Sequence, residues 1–433
     1  MQYIPNILFA ILLIVGIGFF IKNIKKLIRN IKLGKSINRS DNSSLRLTNM
    51  INIALGQSKM VRRPIAGLLH LIVYVGFIII NIEVLEIIID GLFGTHRIFS
   101  SLGGFYGFLI SSFEILAFLV FVSVIIFWIR RMLLRIPRFW NKEMKGFPKN
   151  DALYILYFEM VLMSLFIIMN AADTHFQQAN SGNIISQFIG PLFSNFEVGT
   201  LHIIERSAWW LHIAGILIFL NYLYYSKHLH ILLAFPNTYY ANLNPKGKFD
   251  NLEAVTNEVK MMLDPDADPF ATSAESETDN VPEKFGAEDA IDLNWVQLLN
   301  AYTCTECGRC TSVCPANQTG KELSPRAIMM KTRDRIEEIG KNIDKNGQFV
   351  VDGKSLLDTI STEEIWACTS CNACVEECPV NIDPLSIITD IRRFLVMEKS
   401  AAPQELNAMM TNIENNGAPW QYNQLDRLNW KDE

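Results

Sequence analysis

Residues 1–303 contain no cysteine, and none follows Cys378; all eight lie between Cys304 and Cys378, with no adjacent Cys-Cys pair. No thiols are left for a disulfide framework elsewhere, so thiol chemistry is confined to one segment. Charge is scarce as well, at 19% of residues against 50% hydrophobic, and the stretch 172–204 has no Lys or Arg at all. Such a composition argues against a soluble enzyme throughout and for a membrane part joined to a soluble part. The sequence shows no repeats and no nucleic-acid motif, so the basic clusters that do occur need another account.

Apolar runs long enough to cross ~30 Å of hydrocarbon occur at about 3–21, 65–89, 105–129, 152–171 and 207–229. The first, NILFAILLIVGIGFFI at 6–21, has no basic residues before it and no small-residue cleavage site after it. It reads as a retained span, with a cleaved signal segment as the alternative. The connection 22–63 carries eleven Lys or Arg against the single acid Asp41, and 130–150 carries seven against Glu143. The positive-inside rule then places the N-terminus outside and the C-terminal half in the cytoplasm. Glu83, Glu86, Glu114 and Glu159 fall within spans, where a carboxylate is expensive. Glu83 and Glu114 are nominated for proton or quinone handling, against the alternative of residues paired between helices or lying near an interface.

His212 and His230 are eighteen residues apart. On one continuous helix that is five turns, putting both rings on one face and roughly 27 Å apart. Imidazoles so placed suit the axial ligation of one or two b-type haems. His70 opens the second span near the side where His230 ends the fifth, so the inner pair is His70/His230. Spacing selects no outer partner for His212; His96 and His175 lie just beyond spans two and four, and His202 about a turn before span five. His228 is expected to reach the headgroups.

Residues 250–292 hold thirteen Asp or Glu against Lys260 and Lys284, which predicts a flexible or surface-lying linker. Its part 265–285 is expected to lie on the basic inner loops. Beyond it stand YTCTECGRCTSVCPANQTGKELSPR and WACTSCNACVEECPVNIDP, each with C-x2-C-x2-C-x3-C-P spacing. A [4Fe–4S] cube takes three thiolates from one such run, and the fourth cysteine serves the other cluster. The expected sets are Cys304, Cys307, Cys310 with Cys378, and Cys368, Cys371, Cys374 with Cys314. Zinc also takes thiolates, but seldom from a doubled run of this spacing closed by proline. Helices are predicted over LSPRAIMMKTRDRIEEIGKNI and after Asp383, a capping residue ahead of Pro384.

With both halves placed, the chain resembles the membrane haem subunit of heterodisulfide reductase fused to its small iron–sulfur subunit. The latter likeness is carried by CPANQTGKELSPR and the Trp366-led second run. The membrane half is similar to the gamma subunits of respiratory nitrate reductases, whose fifth helix binds two haems through histidines eighteen residues apart. In those proteins helix two carries a second histidine where this chain has Glu83, which implies either no outer haem or one ligated by another residue. The resemblance implies a quinone, menaquinone by analogy, and a separate CCG-domain or flavin-containing partner. The expected architecture is an all-α membrane domain of five transmembrane helices (1–240), an acidic linker (241–294), a small mainly helical two-[4Fe–4S] ferredoxin-like domain (295–405) and a tail (406–433). Such a chain would be an oxidoreductase subunit of the cytoplasmic (inner) membrane. A haem-free quinone-linked anchor and a non-enzymatic redox-sensing or assembly subunit are the alternatives.

Overall fold

The computed structural model describes residues 3–179, 182–264, 284–421 and 423–432. Among them every regular element is helical. Five long helices come first: α1 (Ile4–Ile31), α2 (Pro64–Phe93), α3 (Gly104–Met132), α4 (Phe147–Ala172) and α5 (Val198–Tyr222). Each is long and apolar enough to cross a membrane, the fifth span running on to Tyr225. Proline in the first turn starts α1, α2 and α4, where a missing N–H costs nothing. Gly94, in the left-handed region at φ 72°, stops α2.

The bundle packs through small residues. A Cβ on Gly91 would fall 2.5 Å from the Phe9 ring, and one on Gly76 would fall 2.5 Å from Val120. Bare backbone at these points lets α1 and α3 lie close against α2. The outer surface carries exposed Ile7, Leu8, Ile11, Ile14 and Phe108. A water-facing bundle would not tolerate so continuous an apolar coat, whereas lipid requires it.

The fifth span departs from expectation. Helix α5 begins at Val198, so His202 lies inside it rather than a turn before it. It ends at Tyr222 in tight turns over Leu223–Tyr225 and Lys227–Leu229, with Ser226 extended between them. A buried Asp151 draws the chain out of helix here, accepting from Tyr222 Oη at 2.6 Å and from the Lys227 N–H at 3.1 Å. His230 therefore opens a new helix, α6 (His230–Tyr239), instead of ending α5. The shared helical face and 27 Å separation of His212 and His230, which assumed one unbroken helix, do not hold.

The remaining helices used below are α7 (Trp295–Thr303), α8 (Arg309–Ser312), α9 (Pro325–Asn346), α10 (Ala373–Glu377) and α11 (Pro384–Met397). The two helices anticipated here are α9 and α11, and Asp383 caps α11 by accepting from the Ser386 N–H at 3.0 Å. Residues 265–283 of the expected linker 241–294 lie outside the described residues. Its end does not behave as linker: Ala287, Ala290 and Leu293 are fully buried in the core around α9 and α11.

This second unit sits on the end of the bundle that carries the basic loops. Asn30 donates to Tyr302 Oη at 2.9 Å, Arg29 to the Gly340 carbonyl at 3.0 Å, and Asn237 to the Val380 carbonyl at 2.7 Å. The Lys35 N–H donates to Leu293 O at 2.8 Å, and the Trp295 N–H donates back to Lys35 O at 3.1 Å. One apolar cluster runs through both parts, from Leu27 and Leu229 to Leu298, Ile328 and Ile388. Polar bonds fix the register of a contact that burial holds together.

Candidate functional site

The two cysteine runs fold into matching loops. In each, one residue takes a left-handed conformation between the first two cysteines (Glu306 at φ 53°, Ser370 at φ 56°), and another follows the second cysteine (Gly308 at φ 70°, Asn372 at φ 60°). These bends turn successive thiols to one side of the loop. Cys304, Cys307, Cys310 and Cys378 line one cavity of about 390 Å³ together with Cys374. Cys314, Cys368 and Cys371 line a second of about 320 Å³, again with Cys374 on its wall. The first cavity thus brings Cys378 to Cys304, Cys307 and Cys310, the second brings Cys314 to Cys368 and Cys371, Cys374 lies on the wall of both, and none is joined in a disulfide.

The chemistry of these donors fits an iron–sulfur cube. Burial pushes the Cys304 thiol up to about 12 and the Cys378 thiol up to about 11, so bare thiolates there are disfavoured. Ligated iron is what makes buried thiolates tenable. Seven of the eight are half-buried or buried; Cys371 is exposed.

The first loop is bolted to the membrane bundle. Arg309 donates to the carbonyls of Lys59 (3.2 Å) and Met60 (3.3 Å) in the loop before α2. The fully buried Arg326 donates to Glu143 at 2.6 Å and to the Arg138 carbonyl at 2.7 Å, both in the connection after α3. Glu306 is held by Lys227, which follows α5, and by Arg333 at 2.8 Å on α9. Burial works to raise the Glu306 carboxyl, but these two cations prevail and hold it below its ordinary range.

Lys227 also touches the histidines. Its carbonyl accepts from His230 Nδ1 at 3.0 Å, which leaves Nε2 with the free lone pair a metal needs. His70 faces His230 with ring centroids 6.4 Å apart. Two imidazoles on opposite sides of one metal, each bonded at about 2 Å, have centroids roughly 6 Å apart. His70 Nδ1 is buried with no partner. The residues present therefore fit a bis-imidazole haem. His228 corrects its expectation: it does not reach outward but lies half-buried, 3.7 Å from Glu159 and edge-on to His230 at 5.4 Å.

His212 is buried, and its Nδ1 lies 3.0 Å from the Leu162 carbonyl, with the Phe166 ring alongside at 6.1 Å. Among the described residues no histidine ring pairs with it. His96 instead sits 3.2 Å from Asp173, and His202 lies 3.9 Å from Glu205. Those carboxylates are already taken by Arg97 (2.8 Å) and by Arg206.

The intramembrane acids divide sharply. Glu114 is fully used, accepting from Asn170 at 3.0 Å and from the N–H groups of Ile185 and Ser186 at 2.7 and 3.0 Å. Glu86 accepts from the Phe99 N–H and from Tyr106. Glu83 is only 3% exposed, and its Oε2 has no partner. Sequence reasoning passed over Lys227, Glu306, Arg309 and Arg138. Glu306 and Arg309 were visible as charged residues inside the first cysteine run where the second has Ser370 and Ala373; nothing in the sequence marks the other two.

Residues 303–382 match the family model described as "4Fe-4S dicluster domain". Over 99% of its length the chain is 28% identical to the "Probable iron-sulfur-binding oxidoreductase FadF" of Bacillus subtilis, covering 61% of that protein. It is 26% identical over 92% of its length to the "EtfAB:quinone oxidoreductase" of Syntrophomonas wolfei, covering 55% of it. Over 27% of its length it is 28% identical to a subunit of the ferredoxin/F(420)H(2)-dependent CoB-CoM heterodisulfide reductase of Methanosarcina acetivorans, covering 60% of it. The chain spans between half and two thirds of the length of the first two relatives. No solved structure matches. The relatives are named as oxidoreductases or their subunits, and in sequence and fold this chain joins a dicluster unit to five membrane-length helices.

Proposed function

We propose that the chain is a membrane-anchored electron-transfer subunit of an oxidoreductase, passing electrons between a soluble redox partner and a membrane quinone. One contact carries it: Lys227 joins the first cysteine loop, through Glu306, to the histidine pair, through His230 Nδ1. Cys304, Cys307, Cys310 and Cys378 hold one [4Fe–4S] cluster, Cys314, Cys368, Cys371 and Cys374 the other, and His70 with His230 hold a b-type haem. When bound, these groups supply one-electron carriers. The protein's share is placement. Arg309 and Arg326 lock the loop onto the bundle, and the Lys227 carbonyl fixes the tautomer of His230.

His212 has a ligand-ready nitrogen but no facing imidazole, so the proposal commits to one haem. Glu83, buried with a free oxygen, is the better placed of the two acids to exchange a proton with quinone; Glu114 is occupied in holding the 182–190 segment. The basic loops support a cytoplasmic dicluster unit and an outside N-terminus. The name of the Syntrophomonas relative joins EtfAB to quinone, which supports a flavin-containing donor or a separate CCG-domain protein as partner and menaquinone or another quinone as membrane acceptor.

Reduced-minus-oxidised spectra of purified protein test this directly. A b-type band that disappears in His230→Ala, with reoxidation of the reduced clusters by a quinone analogue lost alongside, is the expected result. No b-type band in the parent protein favours a haem-free anchor. Clusters that quinone never reoxidises favour a sensing or assembly role.

A further inference from the structure

The two cysteine loops share a backbone but not a charge. At matching positions the first carries Glu306 and Arg309, the second Ser370 and Ala373. The surroundings widen the difference. Arg309 and Arg326 line the first cavity beside Cys304, Cys307, Cys310 and Cys378, and Arg138 and Lys59 stand near enough to act on Cys307 and Cys378. The anions nearby are already paired: Glu306 with Lys227 and Arg333, Glu377 with Arg63 at 2.6 Å. Among the described residues no charged side chain lines the second cavity, and there Arg392 acts on Cys368 while Asp383 opposes it at Cys374. Arg392 is moreover turned to the carbonyls of Ile365 and Cys368, and exposed Cys371 lets water screen what remains.

We propose that the cationic collar of Lys59, Arg138 and Arg309 gives the cluster at Cys304, Cys307, Cys310 and Cys378 the higher reduction potential of the two. The inference rests on the reading above that each set holds a [4Fe–4S] cluster. Reduction adds one negative charge to a cluster. Fixed cations beside it stabilise the reduced form, and they do so most where burial keeps water away. The collar also marks direction in space. Lys59 and Arg138 stand in the loops before α2 and after α3, and Arg309 is bonded to the first of these, so the higher-potential site is the one held against the end of the bundle where His70 stands. The exposed Cys371 side is the one a soluble partner reaches.

Arg138 gives the cleanest test. Its guanidinium donates no hydrogen bond among the described residues, its Nε is buried without a partner, and its only stacking contact is the Phe139 ring at 4.9 Å. The Arg326 contact uses its backbone carbonyl and survives substitution. Redox titration of the full-length, cluster-loaded protein, followed by electron paramagnetic resonance, should resolve two signals at different potentials. Arg138→Gln should lower the higher potential and leave the lower one in place, Arg138→Lys should restore it, and Arg309→Gln should act in the same direction as Arg138→Gln. Cys371→Ser should change only the lower-potential signal. The inference is overturned if Arg138→Gln moves neither potential, moves both equally, or moves only the lower, or if Cys371→Ser alters the higher-potential signal. Iron and sulfide analysis separates the two levels: two intact clusters with unmoved potentials refute the collar alone, whereas fewer than two clusters in the parent protein refute the reading beneath it.

Discussion

Three of the four cysteines in each set stand within six residues of one another, where the loop's own bends set their spacing, and the fourth comes from the other run. A histidine in the bundle has no such help: His70 and His230 are 160 residues apart and meet only because α2 and the start of α6 pack at the same end. The dicluster unit therefore encodes most of each site locally, while the membrane unit assembles its site wholly from distant pieces. Damage should follow the same division. Losing one thiolate should remove a cluster and loosen the small core built around it. Losing one imidazole should empty one site and leave the helices standing, because lipid-facing burial holds them.

The largest effect expected is from Cys310→Ser. This thiol is buried on the wall of the first cavity. Its loss should cut bound iron by roughly half and make the dicluster unit sensitive to proteolysis, since metal-ligand bonds contribute to folding. His230→Ala comes next. The b-type band should vanish while iron content and expression stay near those of the parent protein. Haem loss accompanied by cluster loss would break the comparison, by showing that the two sites are built as one.

The uneven legibility of the sequence follows from this same contrast. Five spans, the two cysteine loops and the cap at Asp383 could be read because each depends on neighbours in the chain. The break after Tyr222 could not. Apolar and aromatic residues run on past Tyr222 to Tyr225, and what ends the helix is Asp151, more than seventy residues away. Lys227 escaped notice for a related reason: both its acidic partner and the imidazole it orients are recognisable only after folding. His228 was misplaced because a polar residue near a span end suggests the headgroups, whereas the turns at 223–229 fold it back against Glu159.

Within the dicluster unit, Arg335 offers a sharper measure of local dependence. It is 5% exposed and bonded to Asp289 at 2.7 Å and to Asp352 at 2.8 Å, which ties the segment before α7 to the turn after α9. Arg335→Gln should destabilise this unit by about 3 kcal/mol, because it leaves buried carboxylate behind. Hydrogen exchange should show faster opening near 284–294 and no change in α2 or α3. The same pair predicts a pH effect. The Arg335 hydrogen bond holds the Asp352 carboxyl at about 2, below its ordinary 3.8. Because the folded value is the lower one, its stabilising contribution is complete above about pH 4 and is lost as pH falls through about 2. Asp352→Asn should flatten that part of the unfolding profile.

The smallest effect tests the seam between the two units. Asn294 caps α7, its side chain accepting from the N–H groups of Val296 and Gln297 at 3.1 and 3.0 Å, while Gln297 returns a bond to its backbone at 2.8 Å. Flanking residues make the paired bonds to Lys35 that join α7 to the chain beyond α1. Asn294→Ala should cost about 1 kcal/mol, the usual effect of a lost cap. A thermal-shift measurement following tryptophan fluorescence should detect it, since Trp295 stands next in the chain. If the cap serves the dicluster unit alone, haem binding at His70 and His230 should be untouched. A haem band that weakens together with the cap would mean that α7 positions the bundle end as well. The boundary between a locally encoded site and an assembled one would then run through α7 itself.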